Sequence, residues 1–307
     1  MITTTHEIRC ESCGASLTVD AHIRATRCPY CDSPQVVDRP ATVDRPDPTY
    51  VLGFEIDRDS AMKSVAGWIR SRGVFVDPRF KRSAPDKTEG VYLPAYLYAA
   101  TSHSDYEASI GEDYTITETY TTTDSKGNTT IHTRTRTVTE WRPLSGRHAT
   151  YVLDVLVTAS KGISNLELET VEPYDLRALR RYEPAVVSGF LAEDPTLPPE
   201  NCRRLARGEA EANLRRDIEA FLPGDHQQGL ELTTELKDEV LDLVLLPLWV
   251  FAVRYEGREK PVRILVNGQT GEIQGKVPLS GLRIALAVAI SLAVVGAIVL
   301  FFVIRGS

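Results

Sequence analysis

Twenty-one consecutive uncharged residues, Ile284 to Ile304, lie between Arg283 and Arg305 near the end of this 307-residue chain. A run of that length fits few folds. In hydrocarbon every backbone N–H and C=O must be satisfied within the segment, so it must be a helix. At ~1.5 Å per residue the run spans about 31 Å, close to the ~30 Å thickness of a bilayer core. Fourteen of its residues are Leu, Ile, Val or Phe. At about 0.3–0.6 kcal/mol each, they favour insertion by several kcal/mol. The expectation is one transmembrane helix over residues 283–305, in contact with lipid over 284–304. Only Gly306 and Ser307 follow, so the chain is expected to be tail-anchored. Ala285, Ala289, Ala293 and Ala297 recur every four residues, a small-residue ridge that lets helices approach closely in lipid and suggests a homo-oligomer or pairing with another membrane helix.

At the other end, Cys10, Cys13, Cys28 and Cys31 form C-x2-C-x14-C-x2-C. Two residues between the members of each pair let one tight turn aim both sulfurs at one ion. Gly14 after the first pair and Pro29 inside the second suit such turns. The pattern predicts a zinc ribbon over residues 1–38 with one structural Zn2+. Four thiolates leave no open coordination position for catalysis. The opening "MITTTHEIRCESC" has neither a basic start nor an apolar core, so no signal peptide is expected. Clustered thiols call for a reducing compartment.

Zinc ribbons invite a nucleic-acid reading, and charge argues against it. The chain carries a formal net charge of −7. Within residues 1–38, Arg9, Arg24 and Arg27 face Glu7, Glu11, Asp20, Asp32 and Asp38, and Tyr30 is the one aromatic residue. Phosphate backbones are gripped by basic faces with exposed aromatics. With one Arg at each border of the apolar run, and Lys276 adding slight weight on the N-terminal side, the positive-inside rule alone decides little. The thiolates place the body in the cytoplasm, giving a single-pass cell-membrane protein.

"DRPATVDRPDPTY" carries Pro40, Pro46 and Pro48 and reads as a stiff linker over 39–49. A body over 50–280 follows. "VLGFEI" reads as a strand, and "DSAMKSVAGWIRSRG" as a helix capped by Ser60, with Met62, Val65, Trp68 and Ile69 on one face. In "YTITETYTTTDSKGNTTIHTRTRTVTEW", Thr occupies 115, 117, 119 and 121, then 133, 135, 137 and 139. This strict period of two predicts a β-hairpin arm over 114–141. A loop at Ser125-Lys126-Gly127 would set Thr117 opposite Thr135 and Glu118 opposite Arg134. "HATYVLDVLVTAS" reads as a buried strand and "EPYDLRALRRY" as a short helix. "PPENCRRLARGEAEANLRRDIEAFLPG" reads as an amphipathic helix with Leu214, Ile218, Phe221 and Leu222 on one face and Cys202 inert near its start. From Val240 onward, two strands meet at Glu256-Gly257, and a turn at Asn267-Gly268 leads to a third. The fold class is thus α+β: an N-terminal four-cysteine zinc ribbon, an antiparallel β-rich body with a long β-hairpin and short helices, and one C-terminal transmembrane helix.

No motif for a phosphate-binding loop, dinucleotide fold, metalloprotease or nucleophile elbow is present. The six histidines, at 6, 22, 103, 132, 148 and 226, show no ligand spacing. Acidic pairs such as Glu112-Asp113 and Glu193-Asp194 are too generic to nominate as acid and base. No catalytic or cofactor-binding residue is nominated, and a non-enzymatic role is expected. A membrane-tethered nucleic-acid-binding protein, or less readily an uncharacterised enzyme, is the alternative.

The order of "CESCGA…CPYCDS", "GVYLPAYLY", "EWRPLSG", "DVLVTAS", "EPYDL", "GFLAE", "LLPLWV" and "VNGQTGEIQGKVPLS" before a terminal span resembles a family of bacterial membrane proteins. These carry a transcription-factor-IIB-type zinc ribbon, for which they are mistaken for a primosomal helicase. The resemblance runs from about residue 6 to 283 and is most specific at "EPYDL" and "VNGQTGEIQGKVPLS". It implies zinc on Cys10, Cys13, Cys28 and Cys31. It also implies protein partners at the membrane, phage-shock-protein-A-like or stomatin/flotillin-like, and a recruiting or scaffold role in membrane stress or organisation. It brings no catalytic residues.

Overall fold

Period-two patterning runs through the middle of the chain, and the computed structural model turns it into long strands. It describes residues 5–31, 33–37, 46–85, 87–123, 127, 129–256 and 260–305. In chain order the strands and helices are β1 (Thr5–Arg9), β2 (Ser16–Asp20), β3 (Ile23–Arg27), β4 (Pro34–Val36), β5 (Tyr50–Val51), α1 (Arg58–Ser71), α2 (Pro78–Lys81), β6 (Lys87–Thr123) and β7 (Thr129–Thr158). They continue as α3 (Asn165–Glu169), β8 (Arg180–Arg181), β9 (Leu191–Glu193), α4 (Pro199–Phe221), β10 (His226–Val253), β11 (Val262–Asn267), β12 (Ile273–Gly275) and α5 (Gly281–Arg305). The chain is mixed α+β and mostly sheet. It divides into two compact units, one of residues 1–96, 158–198 and 242–307, the other of 97–157 and 199–241. That division differs from a ribbon, a linker and a single body over 50–280.

In the first unit, β10 and β11 pair antiparallel from Leu248↔Asn267 to Val253↔Val262, and β12 adds to β11. Parallel to β10 lies β5, through Val244↔Tyr50. Of "VLGFEI" only Val51 is in this strand. A second run of pairings joins β6 to β9 in parallel at Val91↔Leu191, β9 to β3, and β3 to β4. The ribbon therefore does not stand apart: β3 and β4 continue the body's sheet, while β1 and β2 form their own ladder. Of the expected linker, 39–45 lies outside the described residues, and Thr49 N–H already donates to the Leu243 carbonyl.

Helix α1 buries Ala61, Val65 and Ile69 in a core with Phe251, Val253, Ile264 and Val266. Its cap is Asp57, not Ser60: the Asp57 carboxylate accepts from Asp59 N–H and Ser60 N–H at 2.9 Å each. "EPYDL" leads to a 3-10 turn at Leu176–Ala178, shorter than the expected helix. It is tied to the "VNGQTG" turn instead. Buried Asn267 donates through Nδ2 to the carbonyls of Val171 and Pro173, and Asp175 N–H donates to Gln269 Oε1 at 2.8 Å. The two blocks most specific to the family resemblance thus hold each other.

In the second unit, α4 buries Cys202, Ala206, Ala210, Leu214 and Ile218, one residue every four. Ile218 and Leu222 pack with Tyr106 and Ala108, and with partly buried Leu144, Leu230 and Leu232. Phe221, expected on this face, is exposed; Leu222, the first residue past the helix, fills that place. On the arm, Glu118 accepts from Arg134, the residue expected opposite it, at 3.0 Å and from Arg136 at 2.7 Å. The arm's strands extend well beyond 114–141. The loop residues 124–126 and 128 lie outside the described residues, as does Gly257. "HATYVLDVLVTAS" is not buried throughout: Tyr151 and Leu153 are exposed, and continuous burial starts at Val155, just after Asp154 at φ +64°.

Helix α5 begins two residues before Arg283. Its segment Gly281–Val299 is long and apolar enough to cross a membrane, and none of it is buried against the rest of the chain.

Candidate metal centre

Each cysteine pair sits where a strand ends in a tight turn. After β1, Cys10 N–H donates to the Ala15 carbonyl at 2.8 Å, and Gly14 N–H returns to the Cys10 carbonyl at 2.9 Å. Gly14 has φ +74°, a left-handed conformation that favours glycine. After β3, Cys28 N–H donates to the Ser33 carbonyl at 2.9 Å. The two knuckles bring all four Sγ atoms within 4.8 Å of one another, with Cys10 and Cys28 buried and Cys13 and Cys31 exposed.

The sulfur spacing matches a coordination shell. Cys10 Sγ lies 3.7 Å from Cys31 Sγ, and Cys13 Sγ lies 3.8 Å from Cys28 Sγ. A tetrahedron with metal–sulfur bonds of ~2.3 Å has edges of about 3.8 Å. The donor set therefore fits a tetrahedral ion held by four thiolates.

Around the sulfurs lies a polar shell that the cysteine pattern does not reveal. Ser33 Oγ is 3.3 Å from Cys10 Sγ and 3.0 Å from Cys31 Sγ. Gln35 Nε2 donates to Ser33 Oγ at 2.9 Å, and Gln35 Oε1 accepts from Glu11 N–H at 3.2 Å. The Ser33 hydroxyl and then the Cys13 N–H lower the Cys10 thiol to about 6, and Ser33 also lowers Cys31. At Cys13 the Ala15 N–H favours the thiolate, but the Cys10 sulfur, burial and the other two sulfurs outweigh it and push the thiol up to about 12. Four adjoining sulfurs resist carrying four negative charges unless a cation sits among them. The only sequence signal for this shell is a serine two residues after the fourth cysteine.

No protein-family model matches the chain. It is similar to a protein of Bacillus subtilis (strain 168) named only as the uncharacterized protein YdjG, with 24% identity over 240 residues. The match covers 78% of this chain and 66% of that protein, a little under two thirds of the relative's length.

The ribbon's three arginines are all engaged with the protein. Arg24 is 4% exposed and bonds Asp194 through Nε and Asp47 through Nη1, each at 2.8 Å. Arg27 Nε donates to the Gly189 carbonyl and Arg9 Nε to the Gly14 carbonyl. Tyr30, inside the second knuckle, is 73% exposed. The acidic pairs resolve into structural contacts. Glu112 bonds Arg142, and Asp113 accepts from Thr139 and contacts His226. Glu193 accepts from Ser160. Cys202 is buried, and burial pushes its thiol up to about 11, consistent with an inert side chain.

Proposed function

We propose that this chain is a membrane-anchored zinc-ribbon adaptor or scaffold, not an enzyme, that recruits or organises peripheral membrane-stress or membrane-organisation proteins on the cytoplasmic face. The observation carrying this reading is the pairing of β3 with β9, which makes a closed four-sulfur module part of the sheet of a unit ending in an apolar helix. A ribbon held this way presents a fixed surface near the bilayer. The ion is Zn2+, since tetrahedral four-thiolate sites in a reducing compartment suit it and leave no reactive position. Partners of the phage-shock-protein-A-like or stomatin/flotillin-like kind follow from the family resemblance. The engagement of Arg9, Arg24 and Arg27 within the protein supports a protein partner over nucleic acid. Exposed Tyr30 is the side chain on the ribbon best suited to anchor one, because aromatic residues dominate the centres of interfaces.

The test is affinity isolation of the full chain from membranes, beside a Tyr30→Ala variant that leaves the ligands in place. A phage-shock-protein-A-like or stomatin/flotillin-like protein should co-purify with the parent, and its yield should fall about tenfold or more with the variant, the scale of a hot-spot residue. Recovery of nucleic acid with no protein partner would overturn the proposal.

A further inference from the structure

Immediately after α1, the chain exposes two apolar side chains side by side, Val74 at 70% and Phe75 at 44%. The fold fastens this loop to the start of α5. Arg283 Nη1 donates to the Val74 carbonyl at 2.6 Å, and Ser280 N–H donates to the Phe75 carbonyl at 2.8 Å. Val76 and Leu279 form an antiparallel bridge, and Asp77 N–H donates to the Pro278 carbonyl at 3.0 Å. Leu279 and Leu282 are themselves exposed beside it. The result is an apolar tip fixed to the base of the helix about two hundred positions later in the chain.

The two segments that meet at this tip carry a charge opposite to that of the whole molecule. Residues 70–83 and 276–283 contain seven basic side chains, Arg70, Arg72, Arg79, Lys81, Arg82, Lys276 and Arg283, and one acidic one, Asp77. The chain as a whole carries a net charge of −7. Arg79 is engaged by Asp77, and Arg72 stacks over Trp68 at 4.1 Å while its Nε bonds the Trp68 carbonyl. Lys81 and Arg82 follow directly, with Arg82 Nε on the Pro78 carbonyl. Basic side chains flanking an exposed apolar tip match the boundary between anionic headgroups and acyl chains, where aliphatic and aromatic groups enter and cations remain among phosphates.

We infer that the Gly73–Phe75 loop and its basic flanks form a second, non-spanning membrane contact that seats the first unit on an anionic lipid surface at the base of α5. This rests on the membrane reading of α5 and deepens it. The fold brings the segment 70–83, with five basic residues and one acidic one, Asp77, to the base of the span, where the sequence near the helix supplies only Lys276 and Arg283. That bias places this side of the helix on the cytoplasmic leaflet. It also limits how far the metal centre's unit can swing from the bilayer.

The test uses the full chain reconstituted in phosphatidylcholine vesicles, with or without about one third phosphatidylglycerol, which supplies the anionic surface potential. A dansyl-bearing amino acid replaces Phe75. In the anionic vesicles its emission should shift to the blue and be quenched by lipids spin-labelled near the headgroup. An Arg72→Glu, Lys81→Glu, Arg82→Glu variant should lower that quenching about tenfold, and raised salt should weaken it. Retention in the vesicles through alkaline carbonate washing, with an emission at position 75 that ignores lipid charge, would overturn the loop contact while leaving the span intact. Extraction of the chain by carbonate would overturn both.

Discussion

At the scale of single residues, two side chains around the metal centre serve different ends. Replacing Arg24 by Met removes the guanidinium from a buried carboxylate, Asp194, whose side chain is 3% exposed. Breaking one side of such a pair costs about 3–5 kcal/mol, because the surviving charge stays out of water. Arg24→Met is therefore expected to lower the chain's unfolding free energy by about that amount in denaturant titrations. Adding Asp194→Asn should restore part of it, and a double-mutant cycle separates the pair from lost packing. Ser33→Ala should leave the fold in place and weaken metal binding about 10–100-fold in competition with a chromophoric chelator, since a neighbour that orients a ligand typically contributes that much. The cysteines were legible in sequence because their chemistry needs close, regular spacing. Arg24 was not, since its partner lies 170 positions away and forms no pattern with it. In the sequence it was only one of the ribbon's three positive charges; packed, it is buried.

At the scale of elements, the arm shows what periodicity can and cannot give. Strict alternation of Thr fixes which residues share a face, and a short Gly-containing loop fixes the offset between strands, so the Glu118–Arg134 pair could be foreseen. The ends of the strands could not, because a strand stops where pairing stops, and β6 gains its partners from β7, β9 and β10. Helix α4 was legible through its apolar stripe, but not the ion pair that holds it to β10. There Arg207 bonds Glu239, and Tyr98 Oη donates to Glu239 Oε2 at 2.8 Å. The Arg207 guanidinium, with Tyr98 adding to it, keeps the Glu239 carboxyl below its ordinary range, while burial and then Glu239 push the Tyr98 phenol up to about 12. A depressed folded value means that Glu239 stabilises the fold above the unfolded carboxylate pKa of about 4.3, and that this stability is lost as pH falls through the folded value. Thermal melts of Glu239→Gln should fall below those of the parent near neutral pH and converge with them in acid. A gap that persists unchanged into acid would assign the effect to packing.

At the scale of the whole molecule, the sequence reading has a metal at one end, lipid at the other and a body between, and it does not say whether the ribbon packs on that body. The ends were legible because thiolate spacing and unbroken apolarity are local signals. The join was not, since the link between ribbon and body is a three-residue strand, β9, with no periodicity of its own. That join changes what metal removal should do. In small zinc peptides, metal binding supplies on the order of 10–16 kcal/mol of folding free energy, and chelation unfolds them. Were the ribbon a bead on a linker, chelation would leave the melt of the body unchanged. Here β3 lies between β4 and β9, and Ala25 packs in one core with Val51, Tyr92, Ala192 and Leu245. Loss of the metal should therefore expose β9 as well as the knuckles. Hydrogen exchange on the full chain before and after chelation should show faster exchange at Leu191–Glu193 and at the β6 residues Val91 and Tyr92. β11, separated from β9 in the sheet order by β6 and β10, should change least. Exchange confined to residues 5–37 would show instead that the sheet holds without its metal, and that the ribbon only borders the body.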